Sequence, residues 1–329
     1  MRNTRARLGG RHAPDRSPAP DARERPRAPG SGPRRRVAVT TAPYPQAGDA
    51  DILARVPELS DHSGELDGLP LFWRRAPVPA GGGQARPLYV HGVPDSSDEW
   101  LEFLQRSGGV APDLPGFGRS GKPGSLSYTI PEYADFLGRF LELVGIERVT
   151  LVMHDWGSVG LVFAQRHPER VERLVAINTV PLLPGYRWHR TARIWRTPLL
   201  GELAMGITGR RTLGYISRES NATPGPMPQA WQDSVLAHFD QGTQRAILRL
   251  YRSSPPEVLE AAGRRLASLQ MPALVVWGSK DPYVPASFGR AHAQALGQAE
   301  LLELPDAGLW PWLDRPDVIG RVTDFVSAQ

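Results

Sequence analysis

Short runs of apolar residues alternate with amphipathic helical segments from about residue 64 onwards. Several of these runs are continuously apolar, which is typical of strands buried on both faces of a parallel sheet. The runs that predict strands are Leu69–Trp73, Pro87–Val90, Val149–Met153, Val171–Ile177 and Ala273–Trp277. Between them, a helix is predicted around Tyr133–Val144 and another over Leu161–His167. This alternation predicts a doubly wound α/β fold.

The strand rhythm stops between about Pro184 and Gly263, where the sequence is helical in character and rich in aromatic residues. Because the strand pattern resumes at Met271, we interpret residues 185–262 as a helical cap inserted into a core formed by residues 49–184 and 263–329. Substrate pockets favour such junctions and aromatic walls. The candidate substrate-binding residues of the cap are Tyr186, Trp188, Tyr215 and Tyr251.

The first 48 residues differ in composition from the rest. Residues 1–36 contain 11 arginines and three acidic residues, a net charge of +8, whereas the whole chain carries +5. The remainder is therefore slightly negative, and the total charge does not indicate nucleic-acid binding. Few aliphatic residues accompany the prolines, glycines and arginines, so we expect a disordered tail over residues 1–48. A true translation start near Val37 is the alternative.

Composition also excludes several classes of function. The chain has no cysteine, which excludes disulfides, thiolate nucleophiles and cysteine-ligated metals. No run of about 18 apolar residues occurs, so we expect no spanning segment and no membrane partner. Arg34–Arg36 resemble part of a twin-arginine export signal, but the apolar stretch that should follow is missing. By elimination, we expect a cytoplasmic protein.

Three motifs come in order along the chain, each after an expected strand. They are His91-Gly92-Val93-Pro94, the segment 113–120 (Asp-Leu-Pro-Gly-Phe-Gly-Arg-Ser), and His154-Asp155-Trp156-Gly157-Ser158. Together they resemble the α/β-hydrolase superfamily, specifically its epoxide hydrolase and haloalkane dehalogenase branches, over residues 64–329. The resemblance implies an α/β-hydrolase fold with an inserted cap, which acts on a hydrophobic small molecule without metal or cofactor.

Asp155 stands at the strand-to-helix elbow where this superfamily carries its nucleophile. A carboxylate that attacked an ester carbonyl would form a reactive anhydride, which is a poor route to hydrolysis. Attack on an sp³ carbon instead gives an alkyl ester, a reasonable covalent intermediate. An aspartate that only caps the following helix is the structural alternative. Asp155 therefore favours alkyl halides or epoxides as substrates.

The resemblance also implies that the backbone N–H groups of Val93 and Trp156 form the anion hole. The indole N–H of Trp156 is a donor that suits a halide or an alkoxide. Val93 has no side-chain donor where related haloalkane dehalogenases often carry asparagine, and Trp156 stands where fluoroacetate dehalogenases commonly carry arginine. Epoxide hydrolases use cap tyrosines to bind the epoxide oxygen, and Tyr186, Tyr215 and Tyr251 are candidates. The epoxide branch is thus favoured.

The acid and base of the triad are expected later in the chain. The segment 277–282 (Trp-Gly-Ser-Lys-Asp-Pro) matches the family's acid motif and assigns Asp281 as the acid that orients a histidine. The histidine should follow in a segment of the form Ala-Gly-His-Trp-Pro-Trp, but this chain has Leu309 in the histidine position. Leucine cannot accept a proton. Removal of the base from a comparable triad costs on the order of 10⁶ in kcat.

Attack by an ionised Asp155 does not need the histidine, whereas hydrolysis of the resulting ester does. Three explanations remain open: a trap variant, a non-hydrolytic enzyme (isomerase, cyclase or lyase) that uses Asp155 as a base, or a ligand-binding pseudoenzyme. Another histidine could replace the base. His189 and His238 lie in the cap, whereas His91 and His154 belong to motifs in which packing is their ordinary role. His91 is also a candidate substrate-binding residue.

Overall fold

The computed structural model of the chain describes residues 58–79 and 85–328, together with the backbone of Ala42–Pro43. The predicted tail over residues 1–48 therefore lies outside the described residues, apart from this dipeptide. The described residues belong to one compact unit, Val37–Gln329. Within them, no helix combines the length and the apolar character needed to cross a membrane.

Nine strands of the described chain form one sheet. They are β1 (Ala42–Pro43), β2 (Ser60–Leu66), β3 (Leu69–Ala76), β4 (Arg86–Val90), β5 (Gly109–Pro112), β6 (Val149–His154), β7 (Val171–Ile177), β8 (Ala273–Gly278) and β9 (Ala299–Leu304). Their order across the sheet is β1-β2-β3-β5-β4-β6-β7-β8-β9. Neighbours pair antiparallel from β1 through β3 to β5, and parallel from β5 through to β9. The sheet is mostly parallel, which confirms the predicted fold class.

The central strands are buried on both faces. Every residue of β6 and β8 is buried. Alternate residues enter two different apolar clusters, with Leu151 in one and Val152 in the other. This double burial explains why the sequence shows continuous apolar runs instead of alternation. All five predicted strands are observed, with ends that shift by at most three residues.

Twelve α-helices accompany the sheet in the described chain. They are α1 (Leu101–Ser107), α2 (Ile130–Leu143), α3 (Val159–Arg166), α4 (Arg190–Arg196), α5 (Leu200–Gly206), α6 (Arg210–Ile216), α7 (Gln229–His238), α8 (Gln241–Ser253), α9 (Pro256–Ala262), α10 (Ala286–Ala295), α11 (Pro311–Asp314) and α12 (Asp317–Ser327). The two helices predicted between strands correspond to α2 and α3. A capping box starts α2, since the Thr129 hydroxyl accepts from the Glu132 N–H and the Glu132 carboxylate accepts from the Thr129 N–H.

Six helices, α4 to α9, lie between β7 and β8. Because β7 pairs directly with β8, the sheet continues across this insertion. The proline-rich stretch 223–228 falls between α6 and α7, where it interrupts the helices as proline does. The position of the helices agrees with an inserted helical segment. The exact boundaries of a cap at residues 185 and 262 stay a prediction.

Candidate active site

The turn after β6 holds Asp155 in a strained conformation. Asp155 has a φ of +47°, and a 3₁₀ turn over Asp155–Ser158 leads from β6 into α3. Two glycines make room for this turn. A Cβ at Gly157 would lie 2.2 Å from the Val90 carbonyl oxygen, and a Cβ at Gly92 would lie 2.7 Å from Cβ of Asp155. A strained residue at the carboxyl end of a buried strand is typical of a functional position.

Backbone donors contact the Asp155 carboxylate. The Val93 N–H donates to Oδ2 of Asp155 across 2.9 Å, and the Trp156 N–H also stabilises the carboxylate. The side chain is 8% exposed, and burial raises the pKa of Asp155 to about 6 despite these hydrogen bonds. The two N–H groups predicted to bind a leaving anion thus hold the carboxylate itself.

A cavity that opens to solvent lies above Asp155. Its wall includes Asp155, Val93 and Leu309 from the core, together with residues of α4, α6, α7 and α8. Of the predicted substrate-binding residues, Tyr186, Trp188 and Tyr251 line it. Tyr215 does not, because its side chain is 72% exposed on the outer surface of α6.

The Trp156 side chain is buried and does not line the cavity wall. Its ring stacks on Trp188 with centroids 5.5 Å apart and meets Tyr251 edge to face at 5.1 Å. The indole is therefore one layer behind the residues that face the cavity. A side-chain role for Trp156 in halide binding stays a prediction, since its buried Nε1 makes no hydrogen bond to another described residue, and its backbone N–H contacts Asp155.

Asp281 is buried close to the cavity and already has hydrogen-bond partners. Nδ2 of Asn178 donates to its Oδ2 across 2.8 Å, while the N–H groups of Tyr283 and Val284 donate to Oδ1 across 2.7 and 3.1 Å. Burial raises the pKa of Asp281 to about 6, and these donors oppose the shift. The sequence did not predict these three donors, which hold the carboxylate without a histidine.

Leu309 lines the cavity and is 5% exposed. Its N–H donates to the Ser220 carbonyl oxygen across 2.8 Å, and its own carbonyl oxygen accepts from Nε2 of His154 across 2.9 Å. A Cβ at the neighbouring Gly308 would lie 2.0 Å from the Ser220 carbonyl oxygen. The backbone at position 309 is thus fixed, and an apolar side chain occupies this part of the wall.

His91 was predicted to bind substrate, but in the structure it supports the turn after β4 instead. It is fully buried and does not line the cavity. Its Nδ1 donates to the Gly92 carbonyl oxygen across 2.7 Å, and its Nε2 accepts from the Leu114 N–H across 2.9 Å. Both ring nitrogens are therefore used to hold the turn after β4.

A buried cluster of Asp95, Glu99 and His154 lies behind the turn, and the sequence analysis missed it. Nδ1 of His154 lies 3.2 Å from Oε2 of Glu99. Since Nε2 of His154 donates to a carbonyl, Nδ1 of the neutral ring must accept, so Glu99 supplies the proton. Burial raises the pKa of Glu99 well above its ordinary value and lowers the pKa of His154, in agreement with this arrangement.

The same three residues are the metal-compatible group among the described residues, with ligand atoms within 4.8 Å of one another. The other contacts of the group are hydrogen bonds, from Nε1 of Trp310 to Oδ2 of Asp95 and from the Gly92 N–H to Oε1 of Glu99. Both nitrogens of His154 are occupied as well. The geometry is therefore that of a hydrogen-bond network that supports the Gly92 turn and the Leu309 loop.

His189 lines the cavity, as the sequence allowed. Its Nδ1 accepts from the Ala192 N–H across 3.3 Å at the start of α4, so the neutral ring carries its proton on Nε2. Burial, with a smaller contribution from Arg193, lowers the pKa of His189 to about 4. At neutral pH, the free nitrogen can donate a hydrogen bond but cannot accept a proton.

Comparison with known proteins agrees with this geometry. Residues 88–322 match the alpha/beta hydrolase family. The crystal structure of haloalkane dehalogenase DbeA from Bradyrhizobium elkani is similar, with a TM-score of 0.70, 27% identity, and coverage of 82% of this chain and 97% of that one.

Two further relatives carry other activities in their names. A cis-3-alkyl-4-alkyloxetan-2-one decarboxylase of Shewanella oneidensis is 27% identical, over 74% of this chain and 83% of the relative. Epoxide hydrolase 3 of Mus musculus is 28% identical, over 68% of this chain and 65% of the relative. The chain belongs to the alpha/beta hydrolase family, and it is of the haloalkane dehalogenase and epoxide hydrolase type.

Proposed function

We propose that Asp155 attacks an sp³ carbon of a hydrophobic small molecule and forms an alkyl-enzyme ester. The observation that carries this proposal is the position of Asp155, which lines a largely aromatic cavity while the Val93 N–H binds its Oδ2. The Val93 N–H thus holds Oδ2, and we take Oδ1 as the attacking oxygen. Electrophilic sp³ carbons occur in epoxides and alkyl halides, the substrates expected for this type of hydrolase.

The hydrogen bonds to Asp155 suit the ester as well as the carboxylate. When one oxygen forms the new C–O bond, the other becomes the ester carbonyl oxygen and still accepts from the N–H groups of Val93 and Trp156. These donors are already in place, so they need no rearrangement during the reaction. These donors hold the nucleophile in position. Another group must therefore stabilise the leaving atom.

Tyrosine hydroxyls are the best candidates for that second role. Tyr186 and Tyr251 line the cavity, and burial raises the pKa of both hydroxyls far above neutral. Both hydroxyls remain protonated at neutral pH. The Tyr186 hydroxyl donates to the Tyr283 carbonyl oxygen across 3.4 Å, so of the two we favour Tyr251 as the donor to an oxygen that develops negative charge. Val93 offers no side-chain donor to a halide, and the Trp156 indole lies behind the wall. These contacts favour an epoxide over an alkyl halide.

Hydrolysis of the ester is the step that lacks a base. Leu309 cannot activate water, both nitrogens of His154 are engaged, and the free nitrogen of His189 carries a proton. Asp281 remains close by but has no imidazole to orient. Loss of the base reduces turnover by roughly 10⁶ in comparable triads. We therefore propose that capture, meaning formation of the alkyl-enzyme ester, is retained and that hydrolysis of this ester is lost.

A second candidate function needs no base, and Leu309 is the observation that favours it. In an oxetan-2-one, Asp155 would attack C4, the sp³ carbon bonded to the ring oxygen. The bond between C4 and the ring oxygen would break, which leaves a carboxylate on the neighbouring carbon C3. Loss of CO₂ from that carboxylate then forms a C=C bond, and the alkyl ester bond to Asp155 breaks. The nucleophile is regenerated without water. The Shewanella oneidensis relative named as a decarboxylase of such a ring supports this candidate.

The test is the intact mass of the protein after incubation with terminal epoxides, alkyl halides and a cis-3,4-dialkyl oxetan-2-one. For epoxides or halides, we expect a stable adduct on the unsubstituted chain and none on Asp155→Asn. Asp324→Asn, at an exposed helical aspartate, is the matched control and should form the adduct. With the oxetan-2-one, repeated formation of alkene and CO₂ would support the second candidate. No adduct and no product with any of these compounds would contradict both.

A further inference from the structure

Helices α4 to α6 carry most of the exposed apolar side chains of the described chain. Seven large hydrophobic residues are exposed among the described residues, and six of them lie between Ile194 and Tyr215. The seventh, Leu313, is only 38% exposed. Scattered exposed leucines need no explanation, whereas a concentration in one segment marks an interaction surface.

Four of these residues form an apolar ridge along α5, namely Leu199, Leu200, Leu203 and Ile207. Their side chains are 82%, 54%, 62% and 63% exposed. Leu200, Leu203 and Ile207 are spaced three and four residues apart, so they share one helical face. Gly201 and Met205 on the opposite side are buried, so α5 packs on the protein with its apolar ridge outward.

Arginines are frequent in the segment that carries the apolar ridge. Residues 187–218 contain seven arginines and one acidic residue, Glu202. Glu202 accepts two hydrogen bonds from Arg252, at 2.7 and 2.8 Å, so its charge is already paired. Five of the seven arginines make no ion pair with any described residue. These are Arg187, Arg190, Arg193, Arg211 and Arg218, all of them exposed.

We propose that the apolar ridge and its arginines dock on an anionic phospholipid bilayer. Exposed leucine and isoleucine side chains gain from burial at the boundary between headgroups and acyl chains. Arginines beside them pair with lipid phosphates and contribute about 1 kcal/mol each near an anionic surface. The surface needs no spanning helix, because the protein would lie on the bilayer and not cross it.

The charge pattern argues against a second copy of the chain as the occupant. In a two-fold symmetric dimer, each surface patch meets the same patch of its partner. The five unpaired arginines of one copy would then face those of the other, with Glu219, directly after this segment, as the nearby exposed acidic residue to set against them. An anionic bilayer supplies the opposite charge.

This proposal departs from the expectation that the chain has no membrane partner, which rested on the lack of a spanning segment. It does not depend on the chemistry proposed for Asp155. The helices concerned also supply cavity residues, since Thr191 and Trp195 of α4 and Leu213 and Ile216 of α6 line the cavity wall. Helices α4 and α6, on either side of α5 in the chain, thus contribute to the cavity, whereas α5 itself does not line it.

The first test measures binding of the full chain to vesicles of phosphatidylglycerol and phosphatidylcholine by co-sedimentation. We expect binding that Arg190→Gln/Arg193→Gln weakens by roughly 30-fold, from the contribution of two arginines. The matched control is Arg264→Gln/Arg265→Gln, which removes two exposed arginines before β8, far from α5 in the chain. Both variants retain the 11 arginines of residues 1–36, so any attraction of that segment is the same. Equal binding by the two variants would overturn the proposal.

The second test uses the absence of cysteine from the chain. Leu203→Cys and Leu313→Cys each provide one site for a polarity-sensitive fluorophore. We expect the emission of the label at position 203, and not at 313, to shift to the blue when anionic vesicles are added. No shift at position 203 would contradict the proposal. A shift at 203 that depends on protein concentration without vesicles would also overturn it, in favour of self-association.

Discussion

Nε2 of His154 donates a hydrogen bond to the carbonyl oxygen of Leu309 across 2.9 Å. This bond joins the residue that precedes Asp155 to the loop that carries leucine in place of the family's histidine. The Leu309 N–H is held as well, by the Ser220 carbonyl oxygen at 2.8 Å. Both backbone groups of residue 309 are fixed by partners outside the loop. Its side chain can therefore change while the backbone keeps its position.

Replacement of Leu309 by histidine should restore turnover. An imidazole at this position would enter the same cavity as Asp155 and could activate water against the alkyl-enzyme ester. We expect ester hydrolysis to rise by roughly 10⁴-fold or more. The measurement is the rate of loss of the isolated adduct by mass spectrometry. Leu309→Gln is the polar control without a base, and equal rates in the two variants would refute the prediction.

The rate of capture should depend on pH through Asp155. The attacking group is the carboxylate, and burial raises the pKa of Asp155 to about 6. Capture should therefore rise with pH through about 6 and then reach a plateau. The negative charge of Asp281 contributes to the shift, so Asp281→Asn should move the midpoint to lower pH. A rate independent of pH between 4 and 8 would contradict this prediction.

The raised pKa also has a consequence for stability. Because the folded-state pKa of Asp155 lies above the ordinary value of 3.8, protonation favours the folded state and ionisation disfavours it. At pH 8, Asp155→Asn should increase the free energy of unfolding by about 2–3 kcal/mol, and the difference should vanish as the pH falls towards 4. Asparagine tolerates the positive φ. Chemical denaturation at both pH values checks this, and Asp324→Asn, at an exposed aspartate, should show no comparable gain.

Tyr251 provides the test of epoxide binding. If its hydroxyl stabilises the developing alkoxide, Tyr251→Phe should slow epoxide capture by roughly 10²- to 10³-fold. Capture of an alkyl halide, which forms no alkoxide, should change much less. Tyr215→Phe is the matched control, because Tyr215 is 72% exposed and does not line the cavity. Equal slowing with both substrate classes would indicate a packing defect and not a lost donor.

The sequence predicted the buried centre of the sheet better than its edges. Strands β6, β7 and β8 were predicted almost to the residue, because burial on both faces requires continuous apolar runs. Strand β2 was not predicted, since it is half-exposed and reads Ser-Asp-His-Ser-Gly-Glu-Leu. Edge strands contain more polar residues than central strands, and these residues interrupt the apolar run from which a strand is predicted.

The site was predicted where local motifs define it. The elbow of Asp155 and the Val93 donor follow from short segments next to strands. By contrast, the contacts of Asp281 with Asn178, and of Glu99 with His154, join segments that are far apart in the chain. The exposure of Tyr215 depends on how α6 is rotated against its neighbours. Neither kind of information is present in a local pattern.

The most direct test of the central claim is the stoichiometry of the reaction with an epoxide or halide that the protein captures. The unsubstituted chain should carry one adduct per molecule, on the peptide that contains Asp155, and should release no more than one equivalent of the hydrolysis product. Leu309→His should release many equivalents of the hydrolysis product. Hydrolysis product in large excess over the unsubstituted chain, with no adduct on Asp155, would contradict the claim that capture is retained and turnover is lost.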